Sequence, residues 1–153
     1  MDIFSAAKYF LSKVDEEEGV LITHLKLQKI VYYAQAWYLA IYGRRLFEDK
    51  QFEAWAHGPV NPELFQVYRG YGYQPIPFPE DFDPTDYSRG EKDYLDQIWS
   101  LYGRFDAKYL EALTHKEEPW LSTRGDLPEG ARCDTPISDD LMTEYYGGLV
   151  EDE

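Results

Sequence analysis

Three histidines, one cysteine and a scatter of carboxylates are the side chains here from which catalysis or metal binding could be built. His24, His57 and His115 lie far apart, and none pairs with a second ligand at the helical spacing that zinc sites use. Cys133 is alone, so no disulfide framework or cysteine cluster exists. Between Arg132 and Asp134, in an expected loop, it reads as an incidental thiol rather than a nucleophile. Glu53 and His57 lie four apart, but in an extended segment such side chains share a face without being neighbours. His57, just before Gly58-Pro59, therefore reads as a turn residue rather than an acid–base group. No nucleophile-elbow motif and no phosphate-cradling glycine loop is present. A Ser/His/Asp triad is spatial and is not excluded by one sequence. The expectation is a protein with no catalytic residues, no metal site and no cofactor: not an enzyme.

Charge narrows the partners. A net charge of -14 opposes binding to duplex nucleic acid, which needs a basic face for its phosphates. It also opposes anionic membranes and suits a basic protein partner. Seven acids and no Lys or Arg fall between Asp134 and Glu153. An acidic C-terminal tail over about 147–153 is expected, either simply solvated or a docking surface for a basic protein. The N-terminus shows no basic-then-apolar leader and no apolar run spans a bilayer, so a cytoplasmic location is expected.

The elements that must position these residues can be read in order, within one domain over 1–153. Asp2 caps a helix with Ile3, Ala6, Ala7, Phe10, Leu11 and Val14 on one face, expected to end near Glu16–Gly19. Thr23 caps the next, with Ile22 and Leu27 as a hydrophobic staple. Over 24–42 this helix is apolar around most of its girth, so it belongs in the centre of the domain. Residues 45–48 and 52–57 are expected to pair as a small hairpin. Asn61-Pro62 starts a short helix, and 74–87 is a Pro-rich, acidic surface loop. Ser88 with Glu91 forms a capping box. Asp106 caps a helix that Pro119 should stop, 122–136 should be irregular, and Ser138 caps a last helix closed by Gly147-Gly148. The fold class is mainly α (α+β): a compact bundle of about five to six helices around the helix of 24–42, with a β-hairpin near 45–57.

One line along the central helix is less apolar: Lys26, Lys29, Tyr33 and Trp37. Helical spacing keeps these four on one side. They are either helix-surface residues snorkelling over the core or a basic-aromatic contact strip of the composition that interface hot spots favour. As a partner-binding strip, it would have Trp55 and His57 beside it.

The stretch Leu25-Lys26-Leu27-Gln28-Lys29-Ile30-Val31-Tyr32-Tyr33-Ala34-Gln35-Ala36-Trp37 resembles the signature of the SocA-like, or Panacea-domain, antitoxin family, also seen in phage-associated GepA-like proteins. Tyr42-Gly43-Arg44-Arg45-Leu46-Phe47, then Phe52 through Val60, then Thr114-His115-Lys116-Glu117-Glu118-Pro119-Trp120, agree with it in order. The resemblance implies a non-enzymatic domain that binds and neutralises a protein toxin. Two other roles stay open. One is inhibition of a host defence complex on behalf of a phage or mobile element, through an acidic surface that mimics nucleic acid. The other, implied by a relative with that role, is an adaptor that hands the toxin to the ClpXP protease. Self-association is left open.

Overall fold

The computed structural model describes residues 1–151. Its axle is helix α2, His24–Tyr42, against which α1 (Ile3–Leu11), α3 (Pro62–Tyr68), α4 (Arg89–Tyr102), α5 (Ala107–Thr114) and α7 (Asp139–Glu151) all pack. A further helix, α6 (Glu118–Arg124), bears on α7 and on the hairpin. The Thr23 hydroxyl accepts from Lys26 N at the start of α2, and Gly43 closes it in the left-handed conformation at φ 72°. Every residue of α2 from Lys26 to Ala36 is buried. A helix covered on all sides needs no single apolar stripe, which is why its sequence reads as apolar nearly all round.

The hairpin is tighter than the sequence suggests. Strand β1 is Glu53–Trp55, and its antiparallel partner β2 is Gly58–Val60, not residues 45–48. The register pairs Glu53 with Val60 and Trp55 with Gly58. The other edge of β1 is covered by residues 135–137: Ala54 N donates to Thr135 O (3.0 Å) and Ile137 N to Phe52 O (2.7 Å). The second edge of β1 is thus covered by a loop, a common way of blunting a strand edge.

Three boundaries differ from expectation for local reasons. Helix α1 stops at Leu11; residues 15–20 instead fold back on themselves, with Asp15 and Val20 exchanging both backbone bonds (2.9 and 2.8 Å). Gly19, at φ 73°, serves that turn rather than a helix end. Pro119 does not stop a helix but starts one: it lies in the first turn of α6, where a missing N–H costs nothing. The irregular segment therefore shrinks to 125–137. Helix α7 runs on through Gly147 and Gly148 to Glu151, so the first part of the expected acidic tail is helical. Asp152 and Glu153 lie outside the described residues.

Candidate functional site

The polar side chains of α2 reach inward to partners far along the chain. Lys26 Nζ donates to Gly103 O (2.6 Å) and lies 5.3 Å from the centre of the Trp99 ring. Gln28 exchanges two bonds with the backbone of Asn61 (3.1 and 2.9 Å), and Gln35 does the same with Phe47 (3.3 and 2.9 Å). Each glutamine acts as a substitute peptide group, fixing a loop against the helix and satisfying buried backbone. Tyr33 stacks on Tyr102 at 3.9 Å, and Trp37 Nε1 donates to the Tyr102 hydroxyl (2.7 Å).

The expected strip is therefore not a surface. Lys26, Lys29 and Tyr33 are buried, and Trp37 is half-buried against Tyr146. Of the six residues singled out, Trp55, half-buried, and His57, exposed, line an open cleft. They share the hairpin, not the face of α2. The polar tips misled: sequence spacing places side chains on one side of a helix but does not say that α4, α5 and α7 cover that side.

Beneath Tyr33 lies a carboxylate that sequence spacing missed. Glu117, the N-cap position of α6, is buried and accepts from the hydroxyls of Tyr33 (2.7 Å) and Tyr146 (2.9 Å). Tyr146 also shares a bond with Tyr32 (3.2 Å). Burial raises the Glu117 pKa above the ordinary carboxylate value, while the two hydroxyl donors pull it back. The one sequence signal was the pair Glu117-Glu118 ahead of Pro119, acidic residues at a helix start.

Lys29, like His24 at the helix start, is an exception on α2. It is 1% exposed, and its Nζ has no hydrogen-bond partner. Burial pulls its pKa down to about 8, against a smaller upward pull from Glu111. The hairpin turn sits on it. Gly58 has φ +112°, and a Cβ there would stand 2.5 Å from Lys29 Cε and 3.0 Å from Thr114 Oγ1. Only glycine satisfies both that backbone and that approach. Above, His57 Nδ1 meets Glu111 Oε1 at 3.1 Å, tying the turn to α5.

The outer side of the same hairpin forms a cleft of about 500 Å³. Trp55, packed edge-on against Phe65 with ring centres 5.0 Å apart, makes its apolar wall with Leu25 and Val60. Glu53, His57, Arg132 and Asp134 supply polar groups. The opposite wall is the 130–134 segment, held by the buried Arg124, which donates to the carbonyls of Ala54, Pro128, Glu129 and Ala131. Trp120 Nε1 donates to Trp55 O (2.8 Å), and His115 stacks on the Trp120 ring at 3.8 Å. The Thr114–Trp120 motif thus builds the cleft without lining it. A larger recess of about 840 Å³ opens at the α4–α5 turn, but the cleft is the one formed by the hairpin motif and by two aromatic rings.

Fold and site together define a mainly helical domain whose motif residues are chiefly scaffold around one buried helix and a small hairpin. The family described as Antitoxin SocA-like, Panacea domain matches residues 27–121. That match spans more than half of the chain, and the chain belongs to this family. No curated protein and no solved structure matches it. Among the described residues no helix is long and apolar enough to cross a membrane, and no group of three or more His, Cys, Asp or Glu is placed to hold a metal ion.

Proposed function

We propose that this chain is an antitoxin that neutralises a partner toxin by direct, non-catalytic binding, and that the hairpin cleft is where the toxin docks. Membership of the family supports an antitoxin role in general. The observation that carries the finer reading is the cleft itself. It is concave, walled by Trp55 and Phe65, and carries a few polar groups at its edge, the anatomy of a surface that takes an anchoring side chain. The charge of -14 favours a basic toxin and speeds its encounter.

Co-expression of the chain with the product of the gene adjacent to its own tests the reading. Rescue of growth, with a complex that co-purifies, is expected. Unrelieved toxicity with no complex sinks it. Trp55→Ala localises the site: its indole donates only to Glu53 (2.8 Å), while the bonds that hold the strand use backbone. It should weaken the complex by at least about tenfold, as loss of an aromatic anchor does.

A further inference from the structure

The segment after α3 is long, Pro-rich and irregular, yet it is tied down at both ends. Ile76 is buried, and its N–H donates to Ile22 O (2.8 Å) just ahead of α2. Further on, Phe82 packs against Tyr9 and Tyr87 with ring centres 6.2 and 5.8 Å away. Asp81 pairs with Lys8 at 2.6 Å, and the Tyr87 hydroxyl donates to Ser5 O (2.7 Å). Pro75, Pro77 and Pro79 remove backbone freedom between these ties. A loop fixed in this way loses little entropy on meeting a partner.

What it presents is unusual for a solvated loop. Tyr73 is 93% exposed, more than any other large hydrophobic side chain among the described residues, and Phe78 is 50% exposed. Both are aromatics on either side of the buried Ile76, and neither hydroxyl nor ring is used by the fold beyond the edge contact of Phe78 with Phe82 (5.9 Å). Core formation does not explain them, and turn chemistry does not require them. Beside them, residues 80–86 hold Glu80, Asp81, Asp83 and Asp86 and no basic residue. Lys8 pairs with Asp81, and Lys92 acts on Asp83 from α4.

We propose that the loop of residues 73–83 is a second docking surface, in which Tyr73 and Phe78 insert into a basic face of the partner protein. The proposal rests on the antitoxin reading and adds to the cleft a convex, preorganised contact. Aromatic side chains flanked by acids select a partner surface that offers apolar pockets among Lys and Arg. The same acids disfavour phosphate backbones and anionic bilayers, which leaves a basic protein as the fitting partner. The loop also follows directly on α3 and the 3-10 turn Arg69–Tyr71, which lead to it from Phe65 in the cleft wall.

The test uses the full chain, the toxin obtained by the co-expression above, and two variants, Tyr73→Ala and Tyr73→Ala with Phe78→Ala. Tyr73→Ala should melt with wild type, and the double variant close to it, since Phe78 is half exposed and makes one edge contact, with Phe82. The double variant should bind the toxin at least about tenfold more weakly, and Tyr73→Ala alone by a smaller factor in the same direction. Wild-type binding should weaken as salt is raised, and Glu80→Lys with Asp86→Lys should chiefly slow association. A wild-type complex that the double variant forms with equal affinity overturns the loop and leaves the antitoxin reading standing. Absence of any wild-type complex overturns both. Flotation of wild type, but not of the double variant, with phosphatidylcholine vesicles overturns the protein partner in favour of a membrane surface.

Discussion

The motif-bearing face of α2 and the hairpin that packs on it carry comparably distinctive residues, yet only one of them meets solvent. Along α2, Lys26, Gln28, Tyr33, Gln35 and Trp37 each find an internal partner. At the hairpin, Trp55 and His57 keep much of their surface for something else. The difference teaches that a family's polar signature can be architecture. Buried polar groups that are fully paired fix register and loop position, and a partner cannot touch them. The partly exposed aromatics of the cleft and of the 73–83 loop make fewer internal contacts and keep ring surface open to solvent.

The largest effect should come from treating α2 as a surface. Lys29→Glu with Tyr33→Ala removes a ring stacked on Tyr102, strips a donor from Glu117 and buries a second carboxylate. Loss of a buried aromatic alone costs about 3–5 kcal/mol, and an unpaired buried charge adds several more. The double variant should be unfolded by circular dichroism at ordinary temperature. A cooperatively folded double variant would place Tyr33 and Lys29 outside the core.

Next comes the contact between the two regions. Gly58→Ala meets both a positive φ and a Cβ approach of 2.5 Å to Lys29 Cε. Strain at such a backbone is worth about 1–3 kcal/mol before the clash is counted. Truncation at the other side, Lys29→Ala, should relieve the clash but not the φ strain. In urea denaturation the pair should therefore show a favourable coupling of roughly 1 kcal/mol or more. Strict additivity would mean that the turn does not rest on Lys29.

How much of this was legible in the sequence follows from which interactions are local. Caps at Thr23, Asn61, Ser88 and Asp106 are set by residues three apart, and all four accept as their types suggest. The central position of α2 followed from its girth of apolar residues. What could not be read were pairings across long separations, such as Tyr33 with Glu117, Lys26 with Gly103 and Arg124 with Ala54. Pro119 is ambiguous in sequence because a proline after one helix is also a proline at the start of the next. The cleft was half visible: Trp55 and His57 stood out, but Phe65 and the 130–134 wall come together only through Arg124 and Trp120.

The buried ammonium gives a smaller and pH-dependent effect. Lys29 titrates near 8 when folded, against an ordinary value of 10.5. Its pKa is depressed by folding, so between those values the unfolded chain binds the extra proton. Stability should rise with pH across that window, because the penalty for burying charge is present below pH 8 and relieved above it. By pH 10 the gain is roughly 2–3 kcal/mol. The buried tyrosines work in the opposite sense at higher pH, since burial raises their pKa values. The comparison is therefore wild type against Lys29→Met from pH 7 to 10. The variant should be more stable at pH 7 and should lack the rise. Parallel curves would show that Lys29 is solvated or paired in solution.

The smallest effect on the fold should separate the hairpin from α2 most cleanly. The His57 side chain is exposed, and its contact is with Glu111 at 3.1 Å. An exposed pair of this kind contributes little, so His57→Ala should shift the urea midpoint by no more than the equivalent of about 0.5 kcal/mol. If the cleft is the docking surface, the same variant should still alter toxin binding, because His57 lines it. A residue that changes affinity while leaving stability untouched is what the α2 motif cannot supply, since its buried polar members serve both fold and register. Unchanged affinity in His57→Ala, together with lost affinity in Tyr73→Ala, would move the site of recognition from the hairpin to the Pro-rich loop.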